Sequence, residues 1–177
     1  MSRDYPDWIQ AERAAQARRS FAGSMPLSRL KRVQDVLLEP ELDDAIGFEA
    51  SFWRDDQGNL RLDCMLNGRV PLRCQRTLKR YLQAIDSKSS LAVIESEAEL
   101  SALPDDLEPK ICPDGRLNIA ELVEDELLLA LPLVPVDPNT EPMIQAGDVF
   151  EAEADQHVNQ RSNKPFAGLA DALNKTN

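Results

Sequence analysis

The sequence predicts an α+β protein: a twisted antiparallel β-meander of about five to six strands, packed by a helix from the C-terminal half, with N-terminal helices and a disordered acidic tail. Three observations carry this prediction. From Ala45 the apolar period is two, with Ile46, Phe48, Ala50 and Phe52 alternating with Gly47, Glu49 and Ser51. Ile119, Leu122, Val123, Leu127, Ala130 and Leu131 recur at helical spacing until Pro132 stops the run. Beyond Pro135 the chain turns polar, acidic and aperiodic.

Taken in order, Asp7 to Arg19 reads as a helix, since Ala11, Ala14, Ala15 and Ala17 are good formers and Gly23 follows its end. Trp8 is expected to anchor it by docking. A second short helix is expected at Pro26–Val36, with Leu27, Leu30, Val33 and Leu37 at three- and four-residue steps and Arg29, Lys31 and Arg32 on its other face. After the strand from Ala45, Asp55 to Gly58 makes a turn, and Leu60, Leu62, Cys64 and Leu66 face one way. Asn67-Gly68 predicts a tight hairpin, with Arg69 to Arg73 as the returning strand and Pro71 marking an edge or a bulge. A further strand pair is expected at Leu78–Ile85 and Ser89–Ile94, joined by Asp86-Ser87-Lys88. Glu95 to Pro113 reads as an acidic connection long enough to form a mobile flap. A short strand near Arg116–Asn118 precedes the helix, which Asn118 caps.

These elements group into a single domain at 1–135, with helices in 7–37, the sheet in 45–94, the acidic loop at 95–113 and the helix at 119–131. A disordered acidic linker at 136–163 and a short terminal helix motif at 164–174 follow.

Composition narrows the function classes. The chain has 177 residues and a net charge of −11, which opposes non-specific attraction to phosphate. The charge is segregated: between Glu95 and Asp155, 17 acidic residues stand against only Lys110 and Arg116. No apolar run reaches the roughly 18 residues of a membrane span, and the N-terminus lacks the apolar core of a secretory signal. Cys64, Cys74 and Cys112 read as reduced thiols in a cytoplasmic protein, too far apart to suggest a metal site. The single histidine, His157, lies in the acidic tail, so nucleophile–histidine catalysis has no base in the folded part. No glycine-rich phosphate loop is present. Neither a catalytic residue nor a cofactor is assigned.

The unusual feature is basic. Arg69, Arg73, Arg76, Lys79 and Arg80 fall between Cys64 and Ile85 with no acid from Cys64 to Gln83. Arg69, Arg73 and Arg76 are expected to project from one end of the sheet, with Gln75 and Tyr81 available for hydrogen bonding or base stacking. The pattern fits a nucleic-acid or anion patch, or a solvated face neutralised by the acidic flap.

Three motifs resemble the YceD family, bacterial proteins named for large ribosomal RNA subunit accumulation. They are Val70-Pro71-Leu72-Arg73-Cys74-Gln75-Arg76, the run from Asp114 through Asn118 and Glu121–Glu126 to Leu129–Pro135, and Lys164-Pro165-Phe166-Ala167-Gly168-Leu169. Where the family pattern has a second cysteine this chain has Thr77, and Asp137-Pro138-Asn139 stands where a histidine and a further cysteine often follow. The further thiol ligands that the resemblance implies for a metal are therefore missing, and Cys74 is left a structural role. The resemblance implies a cytoplasmic, non-enzymatic factor for synthesis, processing or accumulation of 23S ribosomal RNA. Its partners would be a ribosomal RNA precursor or a pre-ribosomal particle. An acidic adaptor or chaperone for a basic large-subunit ribosomal protein is the alternative.

Overall fold

The computed structural model describes residues 5–104 and 107–140. Its framework is a five-stranded sheet in the order β2-β3-β4-β5-β6, made of β2 (Ser20–Pro26), β3 (Ala45–Arg54), β4 (Leu60–Arg73), β5 (Arg80–Ile94) and β6 (Glu108–Ile111). All neighbours are antiparallel except β5 and β6. A two-stranded sheet joins β1 (Trp8–Gln10) to β7 (Arg116–Asn118). Two helices complete it, α1 (Ala11–Gln16) and α2 (Ile119–Ala130).

The expected strand count holds, but the four strands expected between Leu60 and Ile94 are only two, β4 and β5, and β2 and β6, not expected from the sequence, make up the number. Asn67-Gly68 makes no hairpin: β4 runs straight through it, and Gly68 pairs with Ile46 on one side and Ile85 on the other. The phase of the side chains explains why. Leu62, Cys64, Leu66, Val70 and Leu72 are all buried on even positions. A two-residue loop at Asn67-Gly68 would pair Leu66 with Arg69, turning the arginines inward and Val70 and Leu72 outward. Glycine serves there because a Cβ at Gly68, where φ is +147°, would lie 2.9 Å from Ile46 Cδ1. β5 is likewise one continuous strand across Asp86-Ser87-Lys88. The hairpin joining β4 to β5 lies instead at Cys74–Lys79, closed by the Cys74 amide on the Lys79 carbonyl at 2.9 Å. Pro71 sits where β3 has already ended, so β4 has an edge there; the Pro71 carbonyl accepts from the Leu38 amide at 3.0 Å.

The two N-terminal helices need correction. Trp8–Gln10 is a strand, because Ile9 can pair with Leu117 and bury at the core while β7 satisfies its backbone. This long-range pairing overrides the helical propensity of the segment, which survives only as α1. The second expected helix is a single 3₁₀ turn at Leu27–Arg29 followed by further turns. Leu27, Leu30 and Val33 are fully buried as their spacing implied. The helical ladder is replaced by tertiary bonds: the Arg32 amide donates to Glu124 Oε1 at 2.6 Å, and Gln34 Nε2 donates to the Leu27 and Leu30 carbonyls.

The acidic connection from Glu95 is built into the fold rather than a flap. It contains a 3₁₀ helix at Glu97–Ala102, capped by Ser96 and Glu99, and then β6. α2 matches its sequence signal closely. Asn118 caps it by accepting from the Ala120 and Glu121 amides at 2.9 and 3.2 Å. Ile119, Leu122, Val123 and Leu127 are buried against the inward faces of β4 and β5. Its acids do not stay at the surface as a free face. Glu124 and Glu126 are buried, and Glu124 and Asp125 are tied to Arg32 and Lys110. The first residues of the expected linker form an ordered turn, with the Thr140 amide on the Asp137 carbonyl at 3.1 Å. The rest of that linker and the terminal motif at 164–174 lie outside the described residues.

Candidate nucleic-acid interface

Strand alternation decides which of the five candidate cations meet. Odd-numbered residues of β4 point away from the core, so Arg69 and Arg73 share the outward face of the sheet, and both are exposed. Antiparallel register then sets Arg73 directly opposite Arg80, and Arg69 opposite Ala84. Lys79 stands beside Arg80 in the hairpin, exposed, and Arg76 lies at the tip, half-buried.

Their surroundings differ. Arg80 is partly neutralised, with Glu41 and Asp44 each 3.7 Å away and Nε donating to the Leu38 carbonyl at 3.3 Å. Arg76 is pinned by a 2.6 Å bond from its guanidinium to the Thr140 carbonyl. Among the described residues Arg69, Arg73 and Lys79 have no carboxylate partner. The acidic connection does not neutralise them: β6 pairs with β5 at Leu91–Ile94, about 35 Å along the strand from Arg80 at roughly 3.3 Å per residue.

The hairpin is a firm platform. Its loop is clasped by the chain leaving α2, with the Gln75 amide donating to the Pro135 carbonyl at 2.8 Å and the Asp137 amide reaching the Cys74 sulfur at 3.4 Å. The Thr77 hydrogen bond first, then the Asp137 amide, pull the buried Cys74 thiol down to about 6 against the opposing effect of burial. Cys64, by contrast, is pushed up to about 12, chiefly by burial in the core. Thr77 thus favours the thiolate form of Cys74. Among the described residues no group of three or more His, Cys, Asp and Glu side chains could hold a metal ion. Tyr81 faces the core and bonds Gln83 at 2.9 Å, so it offers no exposed ring for stacking; Leu82 is the exposed neighbour.

The family model described as "Large ribosomal RNA subunit accumulation protein YceD" matches residues 62–172, from β4 through the hairpin and α2 and beyond. The chain belongs to this family. It is also 26% identical over 162 residues to the Large ribosomal RNA subunit accumulation protein YceD of Haemophilus influenzae, covering 91% of each chain. No solved structure matches. The family span contains all five candidate cations and Thr77, and it begins after the N-terminal elements.

Sequence reasoning gave Trp8 only a docking role. The structure leaves Trp8 49% exposed, its ring beneath the guanidinium of Arg116 at 5.0 Å. The alanines that follow Trp8–Gln10 mask a three-residue strand whose pairing partner lies far along the chain.

Proposed function

We propose that this protein supports the accumulation of large-subunit ribosomal RNA in the cytoplasm as a non-enzymatic factor, contacting precursor RNA through the end of the β4–β5 hairpin. Arg69, Arg73 and Lys79 make the phosphate contacts, and Arg76 and Arg80 add to the local positive potential. The observation that carries this reading is the register of Arg73 opposite Arg80 on one outward face. Like charges directly opposed across a ladder repel. A bound phosphate would relieve that repulsion and release counterions from the RNA. The names of the family and of the Haemophilus influenzae relative supply the biological context.

The adaptor reading, in which the acidic segment captures a basic ribosomal protein, loses part of its basis. Glu124 and Asp125, which belong to that segment, bind Arg32 and Lys110 within the fold.

The test is a salt series of binding to a precursor 23S fragment for wild type and for Arg69→Glu/Arg73→Glu. Loss of two phosphate contacts is expected to weaken binding and flatten the log K against log salt slope by about 1.4, at roughly 0.7 per contact for a single strand. Unchanged affinity and slope would refute the assignment. Capture of basic ribosomal proteins without RNA would favour the adaptor.

A further inference from the structure

A second basic and aromatic cluster lies at the other end of the molecule. Trp8 takes an outward position of β1, where alternation buries Ile9 and presents the indole to solvent. Beside the ring opens a pocket of about 430 Å³ lined by Trp8, Arg13, Arg19 and Phe21, within the roughly 300–1,000 Å³ of small-ligand clefts. The Arg19 guanidinium stacks over Phe21 at 5.1 Å, as that of Arg116 stacks over Trp8. Arg13, Arg19 and Arg116 are exposed, and none has a carboxylate partner among the described residues. Arg18, between them, ends α1 at a φ of 47°, a left-handed position where glycine is the usual occupant. The Arg18 and Arg19 amides close the helix on the Ala15 and Ala14 carbonyls at 3.0 and 2.9 Å.

A single arginine over a ring is common at surfaces, as Arg61 over Trp53 shows; here two such pairs adjoin one cleft, and their arginines have no carboxylate partner among the described residues. Planar π-faces joined to unpaired guanidinium groups match a planar, anionic ligand: the base stacks and the phosphate pairs. An apolar peptide would desolvate the arginines and give them no counter-charge.

We infer that this pocket takes an unpaired nucleotide of single-stranded RNA, its base stacked on Trp8 and its phosphate between Arg13 and Arg19. The inference deepens the RNA reading above and rests on it. β2 begins at Ser20, which pairs with Ser51, and Ser51 pairs with Asp63. Asp63 is ten residues along β4 from Arg73, so the two basic sites stand about 33 Å apart at roughly 3.3 Å per residue. At that separation their mutations act independently.

The experiment uses full-length protein carrying Trp53→Phe, which leaves Trp8 as the fluorescent reporter. It is titrated with an unstructured single-stranded oligoribonucleotide, with a duplex of the same length, and with polyglutamate. The single strand is expected to quench Trp8. Trp8→Ala, assayed by anisotropy of labelled RNA, should weaken single-strand binding about fivefold or more, the loss typical of one stacked base, while Trp8→Phe retains most of it. Duplex binding should be unaffected by Trp8→Ala, because a paired base cannot enter the pocket. Wild-type affinity of Trp8→Ala for the single strand, or equal quenching by polyglutamate, would overturn the pocket. If Arg69→Glu/Arg73→Glu abolishes binding while Trp8→Ala does not, the hairpin reading stands without the pocket. The opposite pattern moves RNA binding to the pocket and removes it from the hairpin. No RNA binding by wild type overturns both.

Discussion

Two sets of arginines in this protein look alike in the sequence and behave differently in the fold. Arg29 and Arg32, on the segment after β2, each meet carboxylates supplied from elsewhere: Arg29 bonds Asp7 at 2.8 Å, and Arg32 bonds Glu124 at 2.9 Å and also Asp125. Lys110 takes the other oxygen of Asp125. Against the upward push of burial, the hydrogen bonds from Lys110 and Arg32 hold the Asp125 carboxyl below its ordinary range. Arg69 and Arg73 stand on an open sheet face with no such partner among the described residues, and Arg73 opposes another cation. A run of basic residues therefore does not reveal whether its charge is already used within the fold. The partner that decides it comes from a distant part of the chain.

Breaking the first set should have the largest effect on stability. Glu124→Ala removes the acceptor of both the Arg32 amide and its guanidinium, so a loss of about 2–3 kcal/mol is expected in urea unfolding. Arg69→Ala and Arg73→Ala, measured the same way, should change stability by less than about 0.5 kcal/mol, as for surface sites without structural partners. Equal losses in the two sets would erase the distinction drawn between them.

A smaller effect concerns Arg18. Arg18→Gly relieves a left-handed residue that carries a side chain, a gain of about 1–2 kcal/mol reduced by the greater unfolded freedom of glycine. A net rise of about 0.5 kcal/mol in unfolding free energy is expected. A loss would mean that the Arg18 side chain makes a compensating contact.

The Cys74 thiol gives a pH test of the hairpin platform. Its folded pKa, about 6, lies below that of an unfolded cysteine near 8.5. The stability it adds is therefore fully present above the unfolded value and falls away as pH drops through 6. Comparing wild type with Cys74→Ser between pH 5 and 9 should show wild type gaining relative stability as pH rises. Thiolate absorbance should titrate near 6 in wild type and vanish at that pH in the variant. A flat difference would place the thiol in its neutral form.

What could be read from the sequence depended on how local its causes are. The strand from Ala45, the strand at Arg116–Asn118, the Asn118 cap and the apolar face of α2 rest on residues within a turn or two of each other, and they were legible. The long strand β4 is legible in principle, since the even-numbered phase from Leu62 to Leu72 contradicts a turn at Asn67-Gly68 and outweighs the dipeptide signal. The N-terminal strand was not legible, because it exists through pairing with β7 at the far end of the fold. The same holds for the 3₁₀ turn at Leu27–Arg29, whose helical alternative is displaced by Glu124. At the candidate site, alternation and register set Arg69, Arg73 and Arg80 on one outward face, whereas the sequence pattern suggests Arg69, Arg73 and Arg76 together. That Arg76 is pinned by Thr140 and Arg80 flanked by Glu41 and Asp44 depends on loops whose courses the sequence does not encode locally.

The pairing of β1 with β7 also orders events during synthesis. Ile9 emerges from the ribosome early and Leu117 late, so β1 has no strand to pair with until almost all of the described chain has been made. The β4–β5 hairpin, whose contacts are local along the chain, has no such wait. Trp8 therefore acquires its place under Arg116 only in a finished protein. A nascent or C-terminally truncated chain ending before Arg116 could present the hairpin arginines but not the aromatic pocket.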